Sequence, residues 1–265
     1  MTLGPISEIP PEHGRAIPLI ATDMDGTLTI AAKFTPALLH TLEAAQAAEL
    51  PVLIVTGRSA GWVSGLVHYL PIVGAIAENG GIFYDADHPD GEVLSPIGDR
   101  TLHRHALAVQ FAALQQQFPH LRPAADNDFR VTDWTFDVQG LSETEITTLA
   151  NHCTAHGWGF TYSTVQCHIK LPQQDKAQGL LQVLARHFPH LDPATILTVG
   201  DSPNDAPLFN PAHFPQSVGV ANVRPYCDRL PHVPTYVTTQ PEGHGFGELL
   251  NHLLPLRANP SSSGI

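Results

Sequence analysis

Two aspartates stand one residue apart in Asp23-Met24-Asp25-Gly26-Thr27-Leu28-Thr29, directly after an apolar run at 17–22. Side chains alternate along a strand, so both carboxylates project to one side at its carboxyl end, where ligands of open α/β sheets bind. Carboxylates that close repel each other unless a cation lies between them, and oxygen ligands of this kind suit a hard divalent ion such as Mg²⁺. Gly26 lets the chain turn away at once, and Thr27 adds backbone and hydroxyl donors. An EF-hand loop also opens with spaced aspartates, but its required glycine would fall at Leu28, so that reading fails on spacing. By itself the segment is equally well explained as an aspartate-rich turn without chemistry.

Two further runs end in the same manner. Residues 52–55 lead into Thr56-Gly57-Arg58, and 195–199 lead into Gly200-Asp201-Ser202-Pro203-Asn204-Asp205. If all three runs are strands of one parallel sheet, Asp201 and Asp205 face Asp23 and Asp25 across one metal. Turn chemistry does not account for such convergence. Lys176 opens a helix read at 177–187 and supplies a compact positive charge for a phosphate. A competing motif is Gly57-Arg58-Ser59-Ala60-Gly61, the G-x-S-x-G of a serine-hydrolase elbow after a strand and before a helix. It leaves both aspartate motifs unexplained, and no HGGG-like loop precedes it; Ser59 reads better as a helix N-cap.

The elements that must position these residues follow from apolar periodicity. Residues 17–22 and 52–55 are read as buried strands, joined by a helix at 38–49 that enters through Thr35 as N-cap and Pro36 at N1. The spacing leaves room for one crossover helix, as in a parallel β-α-β unit. Runs at 75–77, 81–84, 195–199, 217–220 and 235–238 continue the sheet. Residues 85–172 have another rhythm: strand-like 92–97, helix-like 101–118, strand-like 129–138, helix-like 142–156, strand-like 160–171. The chain is therefore read as a doubly wound α/β core, residues 1–84 and 173–265, carrying an inserted α+β domain at 85–172. The polar tail 258–265 is expected to lack fixed structure.

Composition narrows the partners. The 265-residue chain has 13 Lys plus Arg against 25 Asp plus Glu, a formal charge of −12, so it lacks the basic face that a nucleic-acid binder needs. The longest apolar stretch, 65–77, is broken by His68, Tyr69 and Pro71 and falls short of the roughly 20 residues that span a bilayer. Residues 1–18 lack the basic start and apolar region of a secretory signal, which leads to the expectation of a cytoplasmic protein. The three cysteines (Cys153, Cys167, Cys227) form no CxxC pair and are read as reduced and structural. The 16 histidines contain no HExxH motif and are read as scattered surface and core residues rather than a metal cluster.

The stretches 23–29, 55–59, Lys176 and 200–205 together resemble the haloacid dehalogenase superfamily of phosphohydrolases, in that family's order and across both halves of the core. The short interval between Asp25 and Thr56 leaves no room for an inserted cap, whereas the long one between Thr56 and Lys176 does. That placement resembles the type IIB (C2 cap) branch of Cof-like, sucrose-phosphate and mannosyl-3-phosphoglycerate phosphatases. The resemblance implies a Rossmann-like core and roles for individual residues. Asp23 is the nucleophile that forms an aspartyl-phosphate, and Asp25 protonates the leaving group and then deprotonates water. Asp23, the backbone carbonyl of Asp25, and Asp201 hold Mg²⁺; Thr56, Gly57, Lys176 and Asn204 hold the phosphoryl group; Asp205 orients Lys176 or a metal-bound water. Several relatives carry an acidic residue where this chain has His168-Ile169-Lys170, which makes Lys170 a competitor of Lys176 for the phosphate. Arg130, Asp133, Trp134 and Lys170 in the insert are the candidates for reading the leaving group, a sugar phosphate or glycosylated phosphoglycerate rather than a phosphoprotein. A phosphosugar mutase shares the same chemistry up to the final acceptor and is the alternative within the family. A catalytically silent sugar-phosphate binder would be expected to lack Asp23 or Asp25, and both are present.

Overall fold

Alternation within the short apolar runs decides which face of the sheet each side chain enters. The computed structural model describes residues 3–258. Its large sheet contains β1 (Gly4–Pro5), β2 (Ile20–Thr22), β3 (Val52–Val55), β4 (Gly74–Ala77), β5 (Ile82–Tyr84) and β6 (Glu92–Val93). A smaller sheet contains β7 (Trp134–Asp137), β8 (Gly159–Tyr162) and β9 (Gln166–Lys170), and the chain then returns to the large sheet with β10 (Leu197–Gly200), β11 (Gln216–Gly219) and β12 (Tyr236–Val237). The large sheet has the order β1-β12-β11-β10-β2-β3-β4-β5-β6, parallel from β1 to β4, with β5 and β6 antiparallel at one edge.

The helices are α1 (Pro11–Ala16), α2 (Pro36–Ala47), α3 (Ala60–Val63), α4 (Leu66–Tyr69), α5 (Arg100–Gln117), α6 (Glu143–Ala155), α7 (Lys176–His187) and α8 (Glu242–Ala258). Ile20, Val52 and Ile54 pack on one face of the large sheet with Leu38 and Leu42 of α2 and Phe246 and Leu253 of α8. Ala21, Leu53 and Val55 pack on the other with Leu180, Val183 and Leu184 of α7. The core is thus the expected doubly wound α/β layer structure. Helix α2 starts as its sequence signals: Thr35 Oγ1 accepts from the Leu38 N–H at 3.2 Å and Pro36 occupies N1. The continuation 258–265, expected to lack fixed structure, lies outside the described residues apart from Ala258, which ends α8.

The smaller sheet is antiparallel in the order β7-β9-β8. Phe136, Cys167 and Ile169 meet Leu107, Phe111 and Leu114 of α5 and Leu149 and Cys153 of α6. The intervening residues Gln166, His168 and Lys170 must then face the opposite way, away from that apolar core. Cys153 and Cys167 are buried in it as unbridged thiols.

Three readings of the insert change, the first being that the strand expected at 129–138 is only Trp134–Asp137, preceded by a short 3-10 helix at Asn127–Phe129. The strand expected at 92–97 is only Glu92–Val93, and it pairs with β5 in the large sheet rather than with the insert. The single strand expected at 160–171 is a hairpin, β8 and β9. Ser163 breaks it by accepting at Oγ from the N–H groups of Val165 (3.1 Å) and Gln166 (3.2 Å), a turn that a hydroxyl side chain stabilises.

Candidate active site

Asp23 follows β2 and its N–H donates to Val199 O at 2.9 Å, so it lies between the carboxyl ends of β2 and β10. Connections leave this pair of strands in opposite directions along the sheet, which opens a crevice there. After Asp23 the chain must reverse sharply: the N–H groups of Leu28 and Thr29 donate to Met24 O at 2.9 and 3.1 Å. Gly26 takes φ +77°, and a Cβ on it would come within 2.5 Å of Asp201 Oδ2. Only glycine allows the turn and the close approach together.

Lys176 reaches the same point from the first turn of α7. Asp175 caps that helix by accepting from the Gln178 N–H at 2.8 Å. Gly80 (φ +94°) meets Gly179 backbone to backbone; a Cβ on Gly179 would lie 2.4 Å from Gly80 Cα. The Asn79-Gly80-Gly81 turn therefore seats the N-terminus of α7. Lys176 Nζ donates to Asp23 Oδ1 and, at 2.6 Å, to Asp205 Oδ1. Asp205 Oδ2 accepts from the N–H groups of Asp201 (2.9 Å) and Ser202 (3.1 Å). Asn222, which follows β11, donates to Asp201 Oδ2 at 2.8 Å and to Gly26 O at 3.0 Å.

Burial of this group shows in its electrostatics. Desolvation pushes the Asp23 carboxyl up, Lys176 opposes that, Asp205 and Asp25 add repulsion, and the result is a pKa of about 7. Burial and then Asp23 also raise Asp201 well above the carboxylate range. For Lys176 burial disfavours the charge, but Asp205 and Asp23 outweigh it and hold the pKa above its ordinary value.

Carboxylate oxygens of Asp23, Asp201 and Asp205 lie within 4.8 Å of one another, and all three residues are buried. One ammonium does not neutralise three carboxylates, and an all-oxygen donor set suits Mg²⁺. Asp23 and Asp201 are the side chains that would hold it, since both Asp205 oxygens already accept, Oδ1 from Lys176 and Oδ2 from the N–H groups of Asp201 and Ser202. The linkage sign is negative: with its pKa raised from 3.8 to about 7, folded Asp23 keeps a proton that the unfolded chain has lost, so its contribution to stability falls as pH rises across that window. A divalent ion favours the ionised form. Mg²⁺ is therefore expected to raise the melting temperature more at about pH 7.5 than at about pH 5, measured by calorimetry against EDTA. A shift equal at both pH values would contradict cation binding at these carboxylates.

Asp25 is turned elsewhere. Arg58 clamps it with two bonds, Nε to Oδ2 at 2.7 Å and Nη2 to Oδ1 at 2.6 Å, and stacks its guanidinium 5.0 Å from the Trp62 ring. Thr56, Gly57 and Asn204 line the same enclosed space as Asp23, Asp25 and Arg58; Asn204 is held by Ser202 Oγ (2.8 Å) and Asn79 Oδ1 (3.0 Å). Its roof is the tip and inner face of the β8–β9 hairpin: Ser163, Val165, Gln166 and His168. The volume left free beneath this roof is about 10 Å³, room for about one water.

The four residues of the insert singled out from sequence do not line that space. Arg130 is buried behind it, bonded to Asp133 Oδ1 (2.9 Å), Asp126 Oδ2 (2.8 Å), Gln166 Oε1 (2.9 Å) and Gly57 O (3.1 Å). Asp133 holds His168 Nδ1 at 2.8 Å. Lys170 Nζ donates to Gln174 O, whereas Lys176 is the lysine bonded to Asp23. Trp134 packs beneath the Arg104 guanidinium. Burial, outweighing Asp133, lowers the pKa of His168; a neutral ring donating from Nδ1 to a carboxylate keeps Nε2 as an acceptor. Ser59 stands at the N-cap of α3 but makes no capping bond, and its buried Oγ has no hydrogen-bond partner among the described residues. A serine nucleophile needs an adjacent base, and among the described residues none bonds to Ser59 Oγ.

Sequence reading missed Arg58 as a partner of Asp25, Asn222, and the roof residues Gln166 and His168. The last two had a signal: polar residues alternating with Cys167 and Ile169 mark a strand with one face toward a polar site.

A family model described as haloacid dehalogenase-like hydrolase matches residues 20–121. The phosphoglycolate phosphatase of Haloarcula marismortui is 31% identical over 210 residues, covering 77% of this chain and 85% of the relative. The phosphoglycolate phosphatase of Methanothrix thermoacetophila is 29% identical over 248 residues, 89% of this chain and 97% of the relative. Among solved structures, a Thermoplasma acidophilum protein superposes with a TM-score of 0.71 at 22% identity, covering 91% of this chain and 99% of that one.

Proposed function

Since the chain belongs to the haloacid dehalogenase-like hydrolase family and is a phosphatase, we propose that it hydrolyses a small anionic phosphomonoester through a phosphoryl group carried on Asp23, with Mg²⁺ as cofactor. The observation that carries this reading is the contact of Lys176 with both Asp23 and Asp205 beside Asp201: a nucleophilic carboxylate, a fixed cation and a divalent-ion site meet at one point. Attack by an Asp23 oxygen on phosphorus breaks the bond to the alcohol oxygen, which takes a proton from Asp25. Water then attacks the aspartyl-phosphate, gives a proton to Asp25, and releases phosphate with Asp23 restored. Lys176, Thr56, Gly57 and Asn204 hold the phosphoryl oxygens. When bound, Mg²⁺ supplies charge stabilisation to those oxygens.

The leaving group is read by what roofs and flanks the phosphate. The hairpin roof leaves only about 10 Å³ free over Asp23, Thr56, Gly57 and Asn204, which favours a compact substrate over a bulky one. Among the described residues Arg58 is the guanidinium lining this space, and its present partner is Asp25, the general acid of this reading. A second anionic group on the substrate would draw Arg58 from Asp25 and leave Asp25 able to carry its proton. Phosphoglycolate, for which the Haloarcula and Methanothrix relatives are named, has that second anion, and it leads our reading; sugar phosphates are the next class.

The test is phosphate release from phosphoglycolate, hexose phosphates and p-nitrophenyl phosphate, with Mg²⁺ and with EDTA. The highest kcat/KM is expected for phosphoglycolate, with no turnover in EDTA; full activity in chelator would overturn the mechanism. Transfer to a second sugar hydroxyl without phosphate release would instead identify a mutase. Arg58→Ala is expected to raise KM for phosphoglycolate roughly 10- to 100-fold, the worth of a charge-assisted bond, and to change p-nitrophenyl phosphate little. Parallel losses on both would assign Arg58 to folding or to the phosphate.

A further inference from the structure

A second group of metal-ligand side chains lies at the far end of α7 from Lys176. Asp85, His88 and His187 each bring one ligand atom within 4.8 Å of the others. Asp85 begins the turn between β5 and β6; its Oδ1 accepts from the N–H groups of Asp87 (2.9 Å) and His88 (2.7 Å) and lies 2.8 Å from His88 Nδ1. His187 ends α7, and its Nε2 lies 2.7 Å from Glu92 Oε2, a carboxylate whose other oxygen accepts from Arg186 at 2.5 Å. The two imidazoles stand 4.9 Å apart, centre to centre, edge to face, with the fully buried Phe83 ring 4.9 Å from His187.

We propose that Asp85, His88 and His187 form a binding site for a transition-metal ion of the Zn²⁺ type, separate from the carboxylate site, with Glu92 fixing the His187 ring. Imidazole and carboxylate together suit Zn²⁺, whereas the all-oxygen site at Asp23 suits Mg²⁺. A carboxylate holding a ligating histidine from behind, over an apolar floor, is the usual support of such a centre. Ligands around zinc stand about 3.4 Å apart, given bonds of about 2.0–2.1 Å, so the Asp85 and His88 atoms, now 2.8 Å apart, must spread slightly to admit the ion. His88, with 41% of its side chain exposed on a turn, has the freedom to do so. The ion would tie the β5–β6 turn to the last turn of α7, the helix whose first residue is Lys176. Its expected effect is on stability, since none of its ligands approaches the catalytic space.

The experiment is equilibrium dialysis of untagged, full-length protein against Zn²⁺ in excess Mg²⁺, paired with thermal melts. Wild type is expected to retain one Zn²⁺ equivalent more than His88→Ala or the His88→Ala/His187→Ala double variant. At roughly 100-fold excess over Kd, Zn²⁺ is expected to raise the melting temperature of wild type by about 5 °C more than that of the variants. His152→Gln/His156→Gln, which alters the stacked pair on α6, is expected to keep the extra equivalent. Retained Mg²⁺-dependent activity certifies that each variant is folded. Equal zinc content in wild type and the His88 variants, or loss of the extra equivalent with the α6 pair, would overturn the site and leave an ion-pair network only.

Discussion

Asp23→Asn is expected to abolish turnover, with kcat falling on the order of 10⁴-fold or more, while Ser59→Ala keeps nearly full activity. Asparagine preserves the shape of the side chain and its acceptor toward Lys176, and it removes one of three crowded carboxylates, so the variant should be at least as stable as wild type without metal. A large kinetic loss without a stability loss separates a chemical role from a structural one. Melting curves and phosphate release on the same preparations provide the check. The opposite ranking of Asp23 and Ser59 would revive the G-x-S-x-G reading.

Lys176→Met is expected to damage both folding and activity. The ammonium is fully buried and bonds to Asp23 and Asp205, so its removal leaves those charges facing each other and Asp201 without compensation. Breaking a buried pair from one side costs about 3–5 kcal/mol. For a chain of this size that is a fall in Tm of roughly 6–20 °C. Adding Asp205→Asn to Lys176→Met should recover part of the stability, because a charge leaves while the acceptor toward Asp201 and Ser202 remains. Activity should not return, since the phosphoryl group still lacks its cation. Unchanged stability and rate in Lys176→Met would show that the lysine is a bystander.

What was legible in the sequence was local. Asp23, Thr56 and Asp201 each follow a short apolar strand and precede a turn, so their strands alone place them at one sheet edge, and Lys176 follows from helix α7 starting beside Gly80. The partners that adjust these groups were not legible, because they arise from pairings between distant segments. Arg58 belongs to the Thr56-Gly57-Arg58 motif, yet nothing local says that its guanidinium closes on Asp25. Glu78, next to the Asn79-Gly80-Gly81 turn, is another such partner. It is fully buried, accepting from Ala60 N–H at 2.9 Å and from Thr132 N–H at 2.6 Å, and so joins the core to the start of the small sheet. Long charged side chains near the insert, Arg130 and Lys170, attracted attention as ligands but are consumed by buried networks. The residues that do roof the space are shorter and sit on a hairpin that the sequence reading had merged into one strand. The 88/187 histidine pair is invisible to any spacing rule, for its members meet only after the β5–β6 turn folds against α7.

Covalent phosphorylation of Asp23 is the claim on which the rest depends, and acid-quenched mass spectrometry measures it most directly. Wild-type enzyme mixed with Mg²⁺ and phosphoglycolate, or with p-nitrophenyl phosphate, is quenched within the first turnovers and digested. The mass of one phosphoryl group is expected on the peptide that carries Asp23, and is expected to disappear in Asp23→Asn and in EDTA. Turnover accompanied by a phosphoryl group on Ser59, or by no modification of the Asp23 peptide at any quench time, would contradict it.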